Sequence, residues 1–305
     1  MSEAAATPGL ALGLTLLLAW AWDACLGEPR NALHPVAWLG QVLGPLGRAL
    51  LRLPPAAAFA GGALAWCALA LALVAAAWVW QQQAGAWPLW AAVPALAVVI
   101  KPTFAWRMLR DEVAAVEAAL QQGVEPARQQ LARLVSRDVS AMAPEELRET
   151  ALETLSENLS DSVVAPLFWL VLAGLPGAVL YRMANTADAM WGYRGRWEWA
   201  GKWAARADDV LSWLPARLTG LALATPRHWR ALPALARQTP SPNGGWPMGA
   251  LALRLGVRLC KPGVYALHAP APSPDGAALA SGLRHCAVLA WSSALLAALL
   301  LGLRP

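Results

Sequence analysis

From Leu53 to Ile100 the chain carries no charged residue. A helix needs about 20 apolar residues to cross a bilayer, so this one block is long enough to cross twice. Three shorter stretches, Ala4–Trp22, Ser162–Tyr181 and Cys286–Leu303, are also free of charge. Four such segments exceed what the core of a soluble domain needs. Only 14% of the residues are charged, against about 25% in an ordinary soluble domain. The pattern predicts an all-α, polytopic integral membrane protein, a single membrane domain over residues 1–305. About four transmembrane helices are expected, near 4–22, 54–81, 87–106 and 286–303, with Gln81-Gln82-Gln83-Ala84-Gly85 as the turn between the second and third. A further re-entrant or broken membrane segment is expected at 162–181.

The 18 Trp residues fit this reading. Trp20, Trp22, Trp78, Trp80, Trp87, Trp90 and Trp106 lie near the ends of apolar segments, where an indole can bury its ring and keep its N–H wet, and others of the set can pack between helices. Cys25, Cys67, Cys260 and Cys286 form no C-x-x-C pair, and the four His are scattered. Neither set has disulfide-framework or zinc spacing. No basic residue precedes the first apolar run, which therefore reads as a retained span rather than a removed signal peptide.

Charge distribution sets the expected topology. With the N-terminus outside, Lys and Arg number three in Asp23–Arg52, seven in Lys101–Asp161 and thirteen in Arg182–His285, and external segments carry none before Arg304. Cytoplasmic flanks favour these residues. The count requires that 162–181 not reverse the sidedness. That segment contains Gly174-Leu175-Pro176-Gly177, and Pro and Gly disfavour a straight helix there. Re-entry is the expectation; the rival is a true span balanced by another membrane segment near Leu218–Pro226.

Between the apolar segments, Met108–Gln122 reads as an amphipathic helix, Glu125–Val135 as a second, and Pro144 to about Asp161 as a third. Pro suits the first turn of that third helix, and Glu145 and Glu146 suit its positive end. Its apolar stripe is Leu147, Ala151, Leu155 and Leu159. Thr239–Pro247 and His268–Gly276 read as loops.

The third helix also carries Glu149, Glu153, Glu157 and Asp161 at intervals of four, with Asn158 beside them. A solvated acidic face is the ordinary reading of such a ladder. This one runs straight into a membrane segment, where carboxylates are costly unless paired, protonated or bound to a cation. Mg²⁺ held by one or two carboxylates and a substrate phosphate would satisfy them. Past the apolar segment come Arg182, Asn185 and Asp188, then Arg206, Asp208 and Asp209, then Arg217. Acids flanked by Arg can bind a metal and an anionic oxygen together, or simply form salt bridges, and the Arg fork suits phosphate. The turn Ser241-Pro242-Asn243-Gly244-Gly245 exposes backbone N–H groups that can cradle an anion. These features point to chemistry on a phosphate-bearing substrate at the cytoplasmic face.

In this order the motifs resemble the CobD/CbiB family, the adenosylcobinamide-phosphate synthases of cobalamin biosynthesis. The resemblance runs from Asp23-Ala-Cys-Leu-Gly27-Glu-Pro29 and His34-Pro35-Val36 through Ser136-Arg137-Asp138 and Glu153-Thr-Leu-Ser-Glu157-Asn158-Leu-Ser-Asp161. It continues through Asn185-Thr186-Ala187-Asp188-Ala-Met190-Trp-Gly192-Tyr193-Arg194, Ala205-Arg206-Ala-Asp208-Asp209 and Pro215-Ala216-Arg217, and closes at Ser241-Pro242-Asn243. Met248 stands where the family usually has Glu, and Cys260-Lys261-Pro262-Gly263 replaces a Gly-Gly-Pro-Asn loop.

The resemblance implies an ATP-dependent acid–amine ligase in the cell inner membrane, with its site on the cytoplasmic side. It would join adenosylcobyric acid to an aminopropanol phosphate or related amino-alcohol phosphate. Glu153, Glu157, Asp161 and Asp209 are then the catalytic candidates, and Glu157, Asp161, Asp208 and Asp209 the Mg²⁺ candidates. Arg137, Asp138, Asn158, Arg182, Asn185, Asp188, Arg194, Arg206, Arg217 and Asn243 are the substrate- and phosphate-binding candidates. Partners are the two substrates, the lipid membrane and other cobalamin-biosynthesis enzymes. Two rivals are a Mg-dependent intramembrane prenyl or alcohol-phosphate transferase and a non-catalytic membrane regulator. The basic residues form no continuous patch, so nucleic acid is not expected as a partner.

Overall fold

A computed structural model describes residues 8–304. Its regular structure is almost entirely helical, with thirteen α-helices and one short antiparallel β-hairpin among the described residues. Five helical stretches are long and apolar enough to cross a membrane: Gly9–Leu26, Pro55–Gly85, Leu89–Leu120, Pro144–Trp191 and Gly276–Gly302. The all-α polytopic reading holds. The chain divides into two compact units, one of Met1–Ala105, Ala165–Leu211 and Ser293–Pro305, the other of Trp106–Val164 and Ser212–Ser292.

The first unit contains α1 (Pro8–Leu26), α2 (Pro35–Leu50), α3 (Pro55–Gly85), α4 (Leu89–Ile100), α8 (Ala165–Trp191) and α9 (Lys202–Leu211). It also contains the end of α13 (Gly276–Gly302). Small residues set the helix spacing. A Cβ on Gly13 would lie 2.8 Å from the Ala298 carbonyl oxygen, and one on Gly62 would overlap the Ala200 carbonyl. Such close backbone approach is how helices pack without a hydrophobic drive between them.

The expected span boundaries shift in three places. The span expected at 4–22 begins outside the described residues and runs on to Leu26. The Gln81–Gly85 turn is wrong: these residues are the last turns of α3, and the reversal falls at Ala86-Trp87-Pro88. Gln is a good helix former, while Pro88 forces the chain out of the helix before α4. The last span starts at Gly276, ten residues before the expected 286, because Asp275 accepts a hydrogen bond from the Ala278 N–H at 2.8 Å and caps it. Among the Trp residues expected at the membrane rim, Trp90 is exposed, but Trp20 and Trp106 are buried, and Trp20 stacks on Phe104 at 5.3 Å.

The break expected at Gly174–Gly177 is present in α8. Ala173 and Gly174 leave helical geometry, Gly174 at φ 68° and ψ −158°, a region essentially open to Gly alone. Residues eight apart in a straight helix are separated by about 12 Å, yet a Cβ on Gly177 would overlap the Trp169 carbonyl. The chain therefore doubles back, and α8 is a helical hairpin. The apolar arm before the break is too short to cross a bilayer. The break frees backbone donors, and Gln81 of α3 answers one of them: its Oε1 accepts from the Leu175 N–H at 2.7 Å. Irregular backbone at membrane depth is tolerated where protein covers it in this way.

The second unit is built around α7 (Pro144–Leu159), flanked by α5 (Trp106–Leu120) and α6 (Val124–Leu131). Also in it are α10 (Trp213–Leu223), α11 (Leu232–Ala236), α12 (Gly245–Leu255) and the hairpin β1 (Leu259–Lys261)–β2 (Tyr265–Leu267). The stripe Leu147, Ala151, Leu155 and Leu159 is completely buried. Each such Leu contributes about 1.5–3 kcal/mol. The second predicted helix ends at Leu131 rather than Val135. The expected loop Thr239–Pro247 gives way to α12 at Gly245, where Pro247 sits harmlessly in the first turn. The β-hairpin turns at Lys261-Pro262-Gly263-Val264, with Gly263 at φ 71°. That is the Pro-Gly chemistry of a type II turn.

Candidate functional site

In the second unit the acidic ladder points inward. Glu149 and Glu153 are 1% and 4% exposed, so the solvated-face reading of these two fails. Buried carboxylates need partners, and each has one. Glu149 accepts from Arg258 at 3.0 Å. Glu153 accepts from Arg137, which also donates to the Thr150 hydroxyl at 2.7 Å. The Tyr265 hydroxyl lies against Glu153 as well and reaches the Met248 sulfur at 3.6 Å. Burial, and then the nearby Glu153 charge, push the Tyr265 phenol up, so it remains protonated and can donate.

One turn further on, Glu157 meets the start of α12. A Cβ on Gly244 would sit 2.6 Å from Glu157 Oε1, so the glycine leaves room for the carboxylate to approach this backbone. Ser241 shapes the turn by accepting from the N–H groups of Asn243 and Gly244 at 3.2 and 3.0 Å. Asn243, 5% exposed, accepts from Arg217 Nη1 at 3.2 Å. The Arg217 guanidinium lies 4.0 Å from the Trp213 ring centre and 5.1 Å from that of Trp246. Burial lowers its pKa, yet an Arg stays charged. A cation held by two indoles and an amide is preorganised for an anionic oxygen. Glu157, Asn243 and Arg217 are thus brought together.

Asp161 falls in a π-helical turn, Ser160–Val164, that directly follows α7. Such turns are frequent at functional sites. Asn158 donates back to the Thr154 carbonyl of its own helix at 3.0 Å. Asp138 is exposed and accepts from the Ser140 N–H at 2.9 Å. That backbone bond holds its carboxyl below the usual range, a local turn arrangement.

In the first unit, Asn185 on α8 donates to Asp208 on α9 at 3.4 Å, and Asp188 and Asp209 interact electrostatically. Burial raises the Asp209 carboxyl, opposed by Arg206, 3.7 Å away. Arg194 is exposed after α8, and Arg206 is 75% exposed. Arg182 lines a cavity with Val179 and Met183. Among the described residues no three His, Cys, Asp or Glu side chains cluster as a metal cage. Mg²⁺ needs only one or two carboxylates beside phosphate oxygens, which Asp209 with Asp188, its electrostatic neighbour, could supply.

The sequence reading missed a buried network in this unit. Lys101, 1% exposed, lies 3.0 Å from Asp23 and 2.7 Å from Glu28, and Glu28 lies 2.9 Å from His34. Burial would raise the Glu28 carboxyl, but His34 and Lys101 outweigh it and hold it below the ordinary range. The lone Lys at the end of a 48-residue uncharged block was the available signal, since a charge there needs a partner. Arg258 and Tyr265 were also missed, because only the fold carries them to α7.

The CobD/Cbib protein family model matches residues 16–285. The chain is 37% identical to a probable cobalamin biosynthesis protein CobD of Thermococcus kodakarensis over 295 residues, covering 95% of this chain and 96% of the relative. It is 39% identical to the cobalamin biosynthesis protein CobD of Rhodobacter capsulatus, over 90% of each chain. The Stutzerimonas stutzeri protein of the same name is 38% identical, over 92% of this chain and 93% of its own. No solved structure gives a significant match. A helical membrane protein carrying these motifs in this order, matched along nearly its whole length, belongs to the CobD/CbiB family of cobalamin biosynthesis.

Proposed function

We propose that this protein forms an amide bond at the expense of ATP, joining adenosylcobyric acid to an aminopropanol phosphate or a related amino-alcohol phosphate. The observation that carries the reading is Glu157 seated against Gly244, with Asn243 and the Trp-flanked Arg217 beside it. This places a carboxylate, an amide and a cation within one constellation.

A carboxylate is a poor electrophile. In the proposed reaction a propionate oxygen attacks the γ-phosphorus of ATP, ADP leaves, and an acyl phosphate forms. The amine then attacks the acyl carbon, the C–N bond forms, and inorganic phosphate leaves with the C–O electrons. An ammonium has no lone pair, so one proton must go first to a base; Glu157 and Glu153 are the candidates in the second unit. Arg137 and Arg217 hold anionic oxygens. In the first unit Asp208 and Asp209, with Asp188, would hold Mg²⁺, which neutralises phosphoryl charge. Asn185 donates to Asp208 and Arg206 lies beside Asp209; Arg182 and Arg194 are further candidates for phosphate oxygens.

The site is proposed to face the cytoplasm, where ATP is. The basic loops support that side, and the short arms of α8 support re-entry over crossing. Cysteines introduced at the exposed positions 145 and 196 should then label from the cytoplasmic side; labelling from opposite sides would sink the re-entrant topology. The ligase itself is tested by purified protein, ATP and the two substrates: ADP and amide should form in equal amounts, and Glu157→Gln should abolish both while the protein still folds.

A further inference from the structure

In the first unit, cations gather where α3 begins. That helix starts at Pro55, and the charge-free run that makes it long and apolar enough to cross a membrane starts just before, at Leu53. Arg48 lies in the last turn of α2 and Arg52 just beyond it, and both are exposed. The loop between α8 and α9 comes to the same place. A Cβ on Gly47 would lie 2.9 Å from the Trp197 ring, and Arg196 and Trp199 share a small cleft with Leu53, Pro55 and Ala58. Arg196 is exposed, 5.8 Å from the Trp197 ring centre. Trp199 is also exposed, with the Lys202 ammonium 4.5 Å from its ring centre. Segments 47–58 and 194–203 together hold five basic residues and one acid, Glu198, which pairs with Lys202 at 3.7 Å. Among the described residues Arg48, Arg52 and Arg196 make no ion pair.

We propose that this rim docks onto anionic phospholipid headgroups of the leaflet in which α3 begins, through Arg48, Arg52 and Arg196. A helix that crosses a membrane brings headgroups to its own end, so the occupant follows from α3 itself. Exposed guanidiniums without a carboxylate are free to fork onto phosphate oxygens, and each cation near an anionic leaflet adds to the attraction. Indoles settle at headgroup depth, and Trp197 and Trp199 stand there. The apolar cleft beside Arg196 suits the carbons just below a headgroup, which a free phosphate lacks. None of the three Arg belongs to the proposed catalytic constellation, so the inference does not depend on the ligase reading.

The test uses the full chain reconstituted in nanodiscs of equal phosphatidylglycerol and phosphatidylcholine, with the lipids that stay bound identified by native mass spectrometry. The wild-type protein should enrich phosphatidylglycerol by about fivefold or more, the preference that a single cation near an anionic surface supplies. The triple variant Arg48→Gln, Arg52→Gln and Arg196→Gln should bring the ratio close to that of the nanodisc. A control triple, Arg227→Gln, Arg230→Gln and Arg237→Gln, removes the same charge elsewhere and should keep the wild-type ratio. All six positions are exposed, so both variants should fold. Adding ATP should leave the enrichment unchanged. No enrichment in the wild type, an unchanged ratio in the rim triple, an equal loss in the control triple, or abolition of the enrichment by ATP would each overturn the proposal, the last by showing that the rim takes a soluble phosphate instead.

Discussion

Replacing Gly174 by Ala adds a single carbon at the reversal in α8, and its cost can be divided between two causes. The backbone there, at φ 68° and ψ −158°, is one that side-chain-bearing residues occupy only at about 1–3 kcal/mol. The added Cβ would also lie 2.6 Å from Gln81 Oε1. Gln81 would have to withdraw, leaving the Leu175 N–H without its acceptor, at about another 1–3 kcal/mol. The sum is about 2–6 kcal/mol. Gln81→Ala alone removes the hydrogen bond but opens the space, and should cost about 1–3 kcal/mol. Gly174→Ala on top of Gln81→Ala should then add only the backbone strain. The assay is an SDS titration in mixed micelles followed by Trp fluorescence on all four proteins. The two changes should couple by about 1–3 kcal/mol. Strict additivity, within about 0.5 kcal/mol, would show that Gln81 does not hold the reversal and would refute the reasoning.

Three further outcomes follow from the same geometry. Lys101→Met removes the cation shared by Asp23 and Glu28, leaving buried charge uncompensated, and should destabilise the protein by about 3–5 kcal/mol in the same titration. Glu28, whose folded carboxyl is held below its ordinary range, contributes stability above that range and loses it as pH falls through the folded value; Glu28→Gln should flatten the acid limb of a stability–pH curve between the two values. Gly244→Ala places a carbon against the Glu157 carboxylate and should cut turnover while leaving the unfolding titration within about 1 kcal/mol of wild type.

The membrane character was legible because length and the absence of charge set it directly. So was the break in α8, since Gly174 and Pro176 disfavour a straight helix. The turn at Gln81–Gly85 was misread for a physical reason: polar residues at a span's end suit either a turn or a last helical turn, and only Pro88 decides between them. The acidic ladder was seen, but its direction was not. Spacing by four places Glu149, Glu153 and Glu157 along one side of a helix; whether that side meets solvent depends on Arg137 in the preceding loop and on Arg258 and Gly244, which lie far along the chain. Three-residue motifs such as Pro215-Ala216-Arg217 named a cation but not the indoles that hold it.

Met248 is buried beside Tyr265. The family resemblance read from the sequence leads one to expect Glu here, so a thioether stands against the Tyr265 hydroxyl in place of the expected carboxylate. In the proposed reaction Glu157 and Glu153 are the carboxylates of the second unit offered as the base that takes the amine proton.

The most direct test of the account is the stoichiometry of ATP use. With adenosylcobyric acid and aminopropanol phosphate supplied to the purified, reconstituted protein, one ADP and one phosphate should form for each amide. No ADP should form when either organic substrate is omitted over many turnovers, and both products should vanish in folded Glu157→Gln protein. Amide formation without ATP, or ATP hydrolysis unlinked to amide, would contradict the ligase reading.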